Sequence, residues 1–295
     1  MPEGLILKGV CGFYQVESDS GLYDCKTRGI YRKKGITPLA GDFVDFTITD
    51  ETLCEGWIEK IKERKNSFKR PSVANINQIA IVITAKCPAP DLLLVDKLLI
   101  TTRIKSIEPI IIINKTDLID SIAFSEMESI YRGTGYPVIP MNKVNMEGYD
   151  VLYVKLKGHR TVFAGQSGVG KSTILNNIIK SRIMETNEVS VKIQRGRHTT
   201  RHVQLIPMDS KGYVVDTPGF SSFELEGIEY GELAWLYPEI ERLQSKCRFN
   251  GCSHINEPDC AVKDAVKHGD ISGKRYECYQ KLFEELKKSY DKRYR

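Results

Sequence analysis

Long hydrophobic runs are missing from this sequence. No apolar stretch approaches the roughly 18 to 20 residues of a membrane-spanning helix, and runs such as Leu92–Val95 and Ile110–Ile113 suit strands or short helices. The first residues, MPEGLILKGVCGFY, also lack a basic leader and a small-residue cleavage site. We therefore expect a cytoplasmic protein whose eight cysteines are reduced or metal-bound rather than paired in disulfides.

Extremes of composition are missing as well. Apolar residues make up 41% and charged residues 27% of the 295-residue chain, which excludes a collagen-like or wholly disordered protein. There is no internal repeat or low-complexity tract, and the length suggests about two or three domains. The net charge of +5 is modest, but two basic clusters, Lys60–Arg70 and Lys192–His202, either contact nucleic-acid phosphates or form a solvated face.

Three segments with different patterns predict three domains. In residues 1–68, short strands are separated by glycines and a proline, which predicts an oligonucleotide-binding (OB-type) β-barrel. In residues 69–222, strands alternate with helices, which predicts an α/β domain with a mostly parallel sheet. Residues 223–295 lack the strand pattern, and we expect a mostly helical domain that carries a Cys/His cluster.

The same patterns predict individual elements. The predicted barrel strands are Gly12–Val16, Leu22–Cys25, Asp42–Ile48 and Trp57–Ile61. The predicted strands of the α/β domain are Gln78–Thr84, Pro109–Ile113, Pro137–Met141, Thr161–Ala164, Val203–Ile206 and Tyr213–Val215. The predicted helices are Asp91–Arg103, Ser125–Arg132, Lys171–Lys180, Gly231–Leu243 and Ser272–Lys288.

A phosphate-binding motif lies between a predicted strand and a predicted helix. Residues 165–172 read GQSGVGKS and match G-x-x-x-x-G-K-[ST], in which backbone N–H groups wrap phosphates and a helix N-terminus adds its dipole. Lys171 is expected to reach the β- and γ-phosphates, and Ser172 to bind Mg²⁺. The residues predicted to bind the nucleotide here are Gly165, Gln166, Ser167, Gly168, Val169, Gly170, Lys171, Ser172 and Thr173.

A guanine-reading motif, NKTD at residues 114–117, follows another predicted strand. The carboxylate of Asp117 can accept two hydrogen bonds from guanine that adenine cannot donate, so the motif favours GTP over ATP. Asn114 can donate to the opposite edge of the base, and the stem of Lys115 can cover its face. Thr116 completes the predicted base site.

A third motif, DTPG at residues 216–219, is expected to follow the strand Tyr213–Val215. Asp216 can hold Mg²⁺ through a water molecule, and the Gly219 amide can sense a γ-phosphate. The order of the three motifs is unusual, because the guanine reader precedes the phosphate loop. A circularly permuted chain explains that order, and it leads the expected switch segments, roughly 190–202 and 216–222, towards the C-terminal domain.

The catalytic group is less defined than the binding motifs. Phe220 occupies the place where many GTPases carry a water-orienting Gln. In the first switch segment, Thr199 or Thr200 can complete the Mg²⁺ shell, and Thr200 is the residue we assign. We hypothesise that His198 orients the attacking water, with phosphate or RNA contact as its alternative role, and that Lys171 and Thr200 share the catalytic work.

A metal-binding pattern lies near the C-terminus. Cys247, Cys252, His254 and Cys260 supply three thiolates and one imidazole within 14 residues, which predicts a closed, structural Zn²⁺ site. The other cysteines show no such spacing and are expected in the core or on the surface.

Together these features resemble the bacterial RsgA family, the circularly permuted GTPases that act on the small ribosomal subunit. The resemblance covers nearly the whole chain. The motifs that carry it are Gly41-Asp42, Arg64, Asn66, Arg70-Pro71, residues 75–78, 114–117, 165–173, 196–200 and 216–220, Cys247-Arg248-Phe249, Cys252, His254, Glu257-Pro258, residues 260–262 and Arg275-Tyr276. Two positions depart from the family pattern: Arg201 replaces a Thr, and Met141-Asn142-Lys143 replaces the usual Ser-Ala-Lys guanine loop.

The resemblance implies a late-stage assembly factor of the small ribosomal subunit, with its rRNA as partner and GTP and GDP as ligands. It implies GTP hydrolysis to GDP and phosphate that is slow alone and faster on the subunit, with Mg²⁺ and one structural Zn²⁺. We expect a monomer. The alternatives are a P-loop ATPase or kinase, which Asp117 argues against; a non-catalytic RNA-binding module with a structural GTP site; and a permuted GTPase that acts on another RNA or protein.

Overall fold

The structure, a computed structural model, describes residues 1–28, 31, 36–186, 203–208, 212–220, 225 and 227–293. It divides into two units. The first unit contains Met1–Ala80, Tyr149–Ala164 and Lys171–Phe220, and the second contains Ile81–Gly148, Gly165–Gly170 and Ser221–Arg295. None of the described helices combines the length and the apolar character that a membrane span needs.

The elements are numbered in chain order. The strands are β1 (Glu3–Val10), β2 (Phe13–Ser18), β3 (Gly21–Thr27), β4 (Phe43–Asp50), β5 (Glu55–Ile61), β6 (Ser67–Phe68), β7 (Val73–Ala74), β8 (Gln78–Thr84), β9 (Glu108–Asn114), β10 (Val138–Met141), β11 (Arg160–Ala164), β12 (Gln204–Pro207) and β13 (Tyr213–Phe220). The α-helices are α1 (Leu92–Ile104), α2 (Ser121–Arg132), α3 (Tyr149–Leu156), α4 (Lys171–Thr186), α5 (Pro238–Glu241), α6 (Ala261–His268) and α7 (Gly273–Arg293). Short 3₁₀ helices span Thr116–Leu118, Tyr230–Leu236 and Gln244–Lys246.

The first unit begins with a closed five-stranded barrel of OB type. Its strands follow the order β1-β2-β3-β5-β4, and β4 pairs with β1 to close the sheet. The β3–β5 pair is parallel and the other pairs are antiparallel. Alternate residues of these strands point inward and form one core, which contains Ile6, Tyr14, Val16, Tyr23, Cys25, Val44, Phe46 and Ile58.

The remainder of the first unit extends this sheet. β12 pairs with both β1 and β13 in antiparallel fashion, and β13 pairs with β11 in parallel. The predicted position of the DTPG motif after a strand differs from the structure, because β13 continues through residues 216–219 as far as Phe220. Its ladder with β12 runs from Tyr213 to Asp216, and Phe220 at its end pairs with Ala164 of β11.

The second unit combines parallel strands with the C-terminal helices. β9 pairs in parallel with β10. All seven residues of β8 are buried, as expected for a strand covered on both faces. The helix α1 begins where the Asp91 side chain accepts a hydrogen bond from the Leu94 amide at 3.0 Å. The C-terminal core joins Ile100 of α1 to the buried stripe of α7, which includes Tyr279, Leu282 and Phe283.

Candidate nucleotide site and metal centre

The phosphate loop, residues 165–170, needs its glycines for both conformation and space. Gly165, Gly168 and Gly170 all have positive φ angles, of 134°, 80° and 100°. A Cβ atom on Gly165 would lie 2.2 Å from the Val82 carbonyl oxygen, and one on Gly170 would lie 2.3 Å from Asn114 Nδ2. Residues with side chains are therefore excluded at these two positions.

The guanine-reading motif contacts this loop directly. Asn114 is buried at the end of β9, and its Nδ2 donates to the Val169 carbonyl oxygen at 2.8 Å. Lys115 Nζ donates to the carbonyl oxygens of Gly168 at 3.0 Å and of Cys87 at 2.7 Å. The two motifs, 48 or more residues apart in the sequence, thus form one cluster at the carboxyl ends of strands, where α/β sheets bind ligands.

The expected base-binding edge lies beside β10. Asn114 and Met141 are register partners at the ends of β9 and β10, and Thr116 Oγ1 donates to the Met141 carbonyl oxygen at 3.2 Å. Asp117 is exposed, and its carboxylate makes no hydrogen bond or ion pair with any residue in the described ranges. Its acceptor oxygens are thus available to a ligand.

The divergent guanine loop forms a tight turn after β10. The Asn142 amide donates to the Glu147 carbonyl oxygen at 3.2 Å, and the Asn142 side chain accepts from the Val144 amide at 2.8 Å. Gly148 closes the turn with a φ of 83°, and a Cβ atom there would lie 1.9 Å from the Pro140 carbonyl oxygen. This turn fixes the backbone of residues 141–143 next to Thr116.

The remaining predicted nucleotide residues are described only in part. Lys171 opens α4, and burial lowers the pKa of its ammonium group. Ser172 and Thr173 are exposed in the first turn of that helix. Ala164, which precedes the phosphate loop, pairs with Phe220, which follows Gly219. The predicted site residues His198, Thr199 and Thr200 lie outside the residues that the structure describes. The side chains of residues 216–220 are also not described.

The four predicted metal ligands converge. The ligand atoms of Cys247, Cys252, His254 and Cys260 all lie within 4.8 Å of one another. His254 Nδ1 lies 3.4 Å from Cys260 Sγ and 3.6 Å from Cys247 Sγ, and the two sulfurs are 3.9 Å apart. A tetrahedral zinc ion separates its sulfur and nitrogen ligands by about 3.5–3.8 Å, so the donor set fits such an ion. The cluster can hold a metal.

Neighbouring side chains fix the loop that carries these ligands. The carboxylate of Glu257 accepts hydrogen bonds from the Ser253 amide, the Ser253 hydroxyl and the Ile255 amide. Burial opposes its ionisation, but these bonds lower the pKa of Glu257 to about 2. Tyr276 and Tyr279 on α7 donate to the carbonyl oxygens of His254 and Ser253, each at 2.7 Å. Both tyrosines lie in the predicted helix Ser272–Lys288, and the sequence did not indicate these contacts.

A buried charge cluster, which the sequence did not predict, connects α1 with the C-terminal segment. Arg275 donates to Glu239 at 2.8 Å and to Asp96, and Tyr237 donates to Asp96 at 2.8 Å. Burial opposes the charge of Arg275, but the carboxylates hold its pKa well above the usual value. The guanidinium carbon also lies 4.5 Å from the Tyr237 ring centroid. No short spacing signals these contacts, since Asp96 and Arg275 are 179 residues apart.

Comparisons with known proteins give a consistent result. A family model described as RsgA GTPase matches residues 61–226, and one described as RsgA N-terminal domain matches residues 3–58. The chain is similar to the small ribosomal subunit biogenesis GTPase RsgA of Ruminiclostridium cellulolyticum, with 50% identity over 97% of this chain and 94% of that protein. The small ribosomal subunit biogenesis GTPase RsgA of Alkaliphilus metalliredigens is 45% identical over 98% of this chain and 99% of that protein.

Two solved structures share the fold. YloQ, described as a circularly permuted GTPase, is 38% identical, with a TM-score of 0.79 over 98% of this chain and 96% of that chain. YjeQ from Thermotoga maritima is 36% identical, with a TM-score of 0.81 over 97% of this chain and 98% of that chain. The predicted fold class is confirmed: an OB-type barrel, a circularly permuted GTPase domain and a C-terminal helical region with a Cys₃His cluster.

Proposed function

The chain belongs to the RsgA GTPase family, whose members hydrolyse GTP, and from that membership we propose that it does so on the small ribosomal subunit, as a late-stage assembly factor. Its partners are then the subunit, its rRNA, GTP and GDP. The names of the relatives support the role in subunit biogenesis. The protein works in the cytoplasm, as a monomer.

One observation carries the nucleotide assignment. The side chains of Asn114 and Lys115 donate to carbonyl oxygens of Val169 and Gly168, so the base-reading and phosphate-binding motifs share one cluster. In this arrangement the exposed Asp117 reads guanine, while Thr116 and the backbone of residues 141–143 flank the base. Residues 165–170 wrap the phosphates, and Lys171, Ser172 and Thr173 extend this cradle into the helix.

Magnesium and the hydrolytic step involve the switch segments. Ser172 would hold Mg²⁺ directly, Asp216 would hold it through water, and Thr200 would complete the shell when GTP is present. Gly219 donates its amide to the γ-phosphate, and Lys171 stabilises the charge that develops there. His198 orients the attacking water. If the His198→Ala variant keeps full subunit-stimulated turnover, His198 has no catalytic role.

The metal of the Cys₃His cluster is zinc, held by Cys247, Cys252, His254 and Cys260. Three soft thiolates and one imidazole suit Zn²⁺, and four protein ligands leave no open position for catalysis. The ion therefore acts as a structural crosslink of a loop with few apolar side chains. We also propose three domains: the barrel in residues 1–68, the GTPase domain in residues 69–222 and the zinc-binding helical domain in residues 223–295.

The deciding experiment measures GTP and ATP turnover by the purified chain, with and without small ribosomal subunits. Strong stimulation of GTP hydrolysis alone is the expected result. GTP turnover that is the same with and without the subunit would mean that a different RNA or protein is the activator. Binding of GTP without turnover under either condition would favour a non-catalytic RNA-binding module, a reading that Phe220 in place of a water-orienting Gln keeps open.

A further inference from the structure

The loop between β8 and α1, residues 85–90, lies against the phosphate loop although none of the three nucleotide motifs includes it. Lys115 Nζ donates to a carbonyl oxygen of each loop, to that of Cys87 at 2.7 Å and to that of Gly168 at 3.0 Å. A Cβ atom added to Gly168 would lie 3.8 Å from Pro88 Cδ, which is ordinary van der Waals contact. The β8–α1 loop is thus a further segment beside the proposed nucleotide site.

A buried threonine holds this loop in its conformation. Thr84, the last residue of β8, is fully buried, and its Oγ1 donates to the Pro88 carbonyl oxygen at 2.5 Å. If the hydroxyl lost this acceptor, no water could replace it, and an unpaired buried polar group is unfavourable. The bond between Thr84 and Pro88 therefore keeps the loop closed.

Both ends of the β8–α1 loop are fixed as well. The Ala85 amide donates to the Asn114 carbonyl oxygen at 2.9 Å and connects the start of the loop to the end of β9. The Asp91 side chain caps α1 directly after the loop. Two prolines restrict the backbone between these ends. The Cys87 carbonyl oxygen is thus held in a defined place.

This carbonyl oxygen restricts Lys115. A lysine has a long, flexible side chain that loses much rotamer freedom when it is held in one place. Two acceptors, one on the β8–α1 loop and one on the phosphate loop, hold the Lys115 ammonium group without any nucleotide. Its stem can then cover a base with little further loss of conformational freedom, which favours binding.

We propose that Thr84 is a positioning residue of the nucleotide site and that the β8–α1 loop borders the bound nucleotide. The Thr84 hydroxyl fixes the Pro88 carbonyl, and the loop then presents the Cys87 carbonyl to Lys115. Lys115 is thereby held with its stem on the guanine base. The inference rests on the proposed function, in which Lys115 contacts the base, and it gives a role to a residue outside the three motifs.

The first test compares two buried threonines that differ in location. Thr84→Val and Thr102→Val each replace a fully buried hydroxyl by a methyl group, and the Thr102 hydroxyl donates within α1, to the Leu99 carbonyl oxygen at 2.6 Å. We expect Thr84→Val to raise the KM for GTP and the Kd for GDP by about three- to tenfold, since a buried hydrogen bond is lost. The kcat should stay the same, because a contact with the base is equal in the ground and transition states.

The controls separate positioning from stability. Thr102→Val should lower the midpoint of thermal unfolding but leave both nucleotide constants unchanged. Thr84→Ser restores the hydroxyl and should restore the wild-type constants. If Thr84→Val lowers only the unfolding midpoint, as Thr102→Val does, Thr84 is merely structural and the proposal is overturned.

A second test asks whether Thr84 acts through Lys115. Lys115→Met keeps an unbranched stem and removes the ammonium group that binds both carbonyl oxygens. In that background, Thr84→Val should change the KM by about twofold at most, because two residues that act through one contact are not additive. An equal rise of the KM in both backgrounds would refute this route.

A third test uses the wild-type chain and therefore needs no folded variant. The thiols of Cys87, in the loop, and of Cys54, in the barrel, are both exposed. Alkylation of each is followed by mass spectrometry with GDP, with ADP and without nucleotide. We expect GDP to slow alkylation of Cys87 only and ADP to slow neither. Equal rates for Cys87 with and without saturating GDP would refute a loop that borders the nucleotide.

These tests distinguish two failures. If the wild-type chain neither binds nor hydrolyses GTP, the proposed function fails. If the wild-type chain binds and hydrolyses GTP but Thr84→Val behaves like Thr102→Val, the function stands and the positioning role of Thr84 does not.

Discussion

The side-chain amide of Asn114 donates a hydrogen bond to the carbonyl oxygen of Val169, at 2.8 Å, and so ties the end of β9 to the phosphate loop. The contact is buried, and the absence of a side chain on Gly170 makes room for it. Because Asn114 belongs to the base-reading motif, one residue of that motif also holds the phosphate loop in place.

Asn114→Ala should therefore weaken binding of both GTP and GDP. The Val169 carbonyl loses its buried donor, which costs about 1–2 kcal/mol, or a factor of about 5–30 in affinity. Titration with a fluorescent guanine nucleotide measures the change. Asn250→Ala, at an exposed position of the metal-binding loop, is the control and should have no effect. Unaltered affinity in Asn114→Ala would mean that the phosphate loop keeps its shape without this bond.

Asp117→Asn should change base selectivity. The exposed carboxylate can accept two hydrogen bonds from guanine, each charge-assisted and worth about 1.5–3 kcal/mol. We expect GTP affinity to fall by about 100-fold or more and xanthosine triphosphate affinity to rise, since xanthine presents an acceptor where guanine presents an amine. Competition binding with the two nucleotides measures both. Preserved selectivity for GTP would refute the assignment of Asp117.

Removal of the metal should disrupt the C-terminal loop and spare nucleotide binding. Without a cation, burial raises the pKa of the Cys252 thiol to about 12, so Cys252 becomes a neutral thiol and a poor ligand. Chelation or Cys252→Ser should expose residues 247–260 to hydrogen exchange, while GTP affinity stays the same. Cys54→Ser, outside the cluster, is the matched control. A full-length chain that purifies without bound metal and keeps this loop protected would contradict the metal site.

Arg275→Ala should be far more destabilising than the loss of an exposed arginine. Asp96 and Glu239 would remain buried without their cation, which costs about 3–5 kcal/mol of unfolding free energy. Arg248→Ala removes an exposed pair with Asp259 and should cost about 0–1 kcal/mol. Urea denaturation of both variants gives the comparison. Similar losses in the two would show that the buried cluster contributes no more than surface charge.

Local patterns predicted most elements but missed several. β1 was missed because Gly4–Leu7 are all buried, which hides the alternation of a strand. The helix α3 was missed because YDVLYVKL is rich in residues that favour strands. The predicted helix Gly231–Leu243 is instead a 3₁₀ helix, Tyr230–Leu236, followed by the short α5, with Pro238 at its start. In the first two cases tertiary packing overrode the local signal, whereas in the third Pro238 divides the segment, because proline is tolerated only in the first turn of a helix.

The sequence by itself determined the chemistry of this protein. The phosphate loop, the guanine motif and the Cys₃His ligands are short motifs, so their spacing alone restricts what they can bind, and their order along the chain revealed the permutation. Only the tertiary structure decided which charges pair. It sets Arg64 against Asp42 and Arg275 against Asp96. The reason is physical: such contacts depend on how distant strands and helices pack, and burial, not spacing, selects the partner.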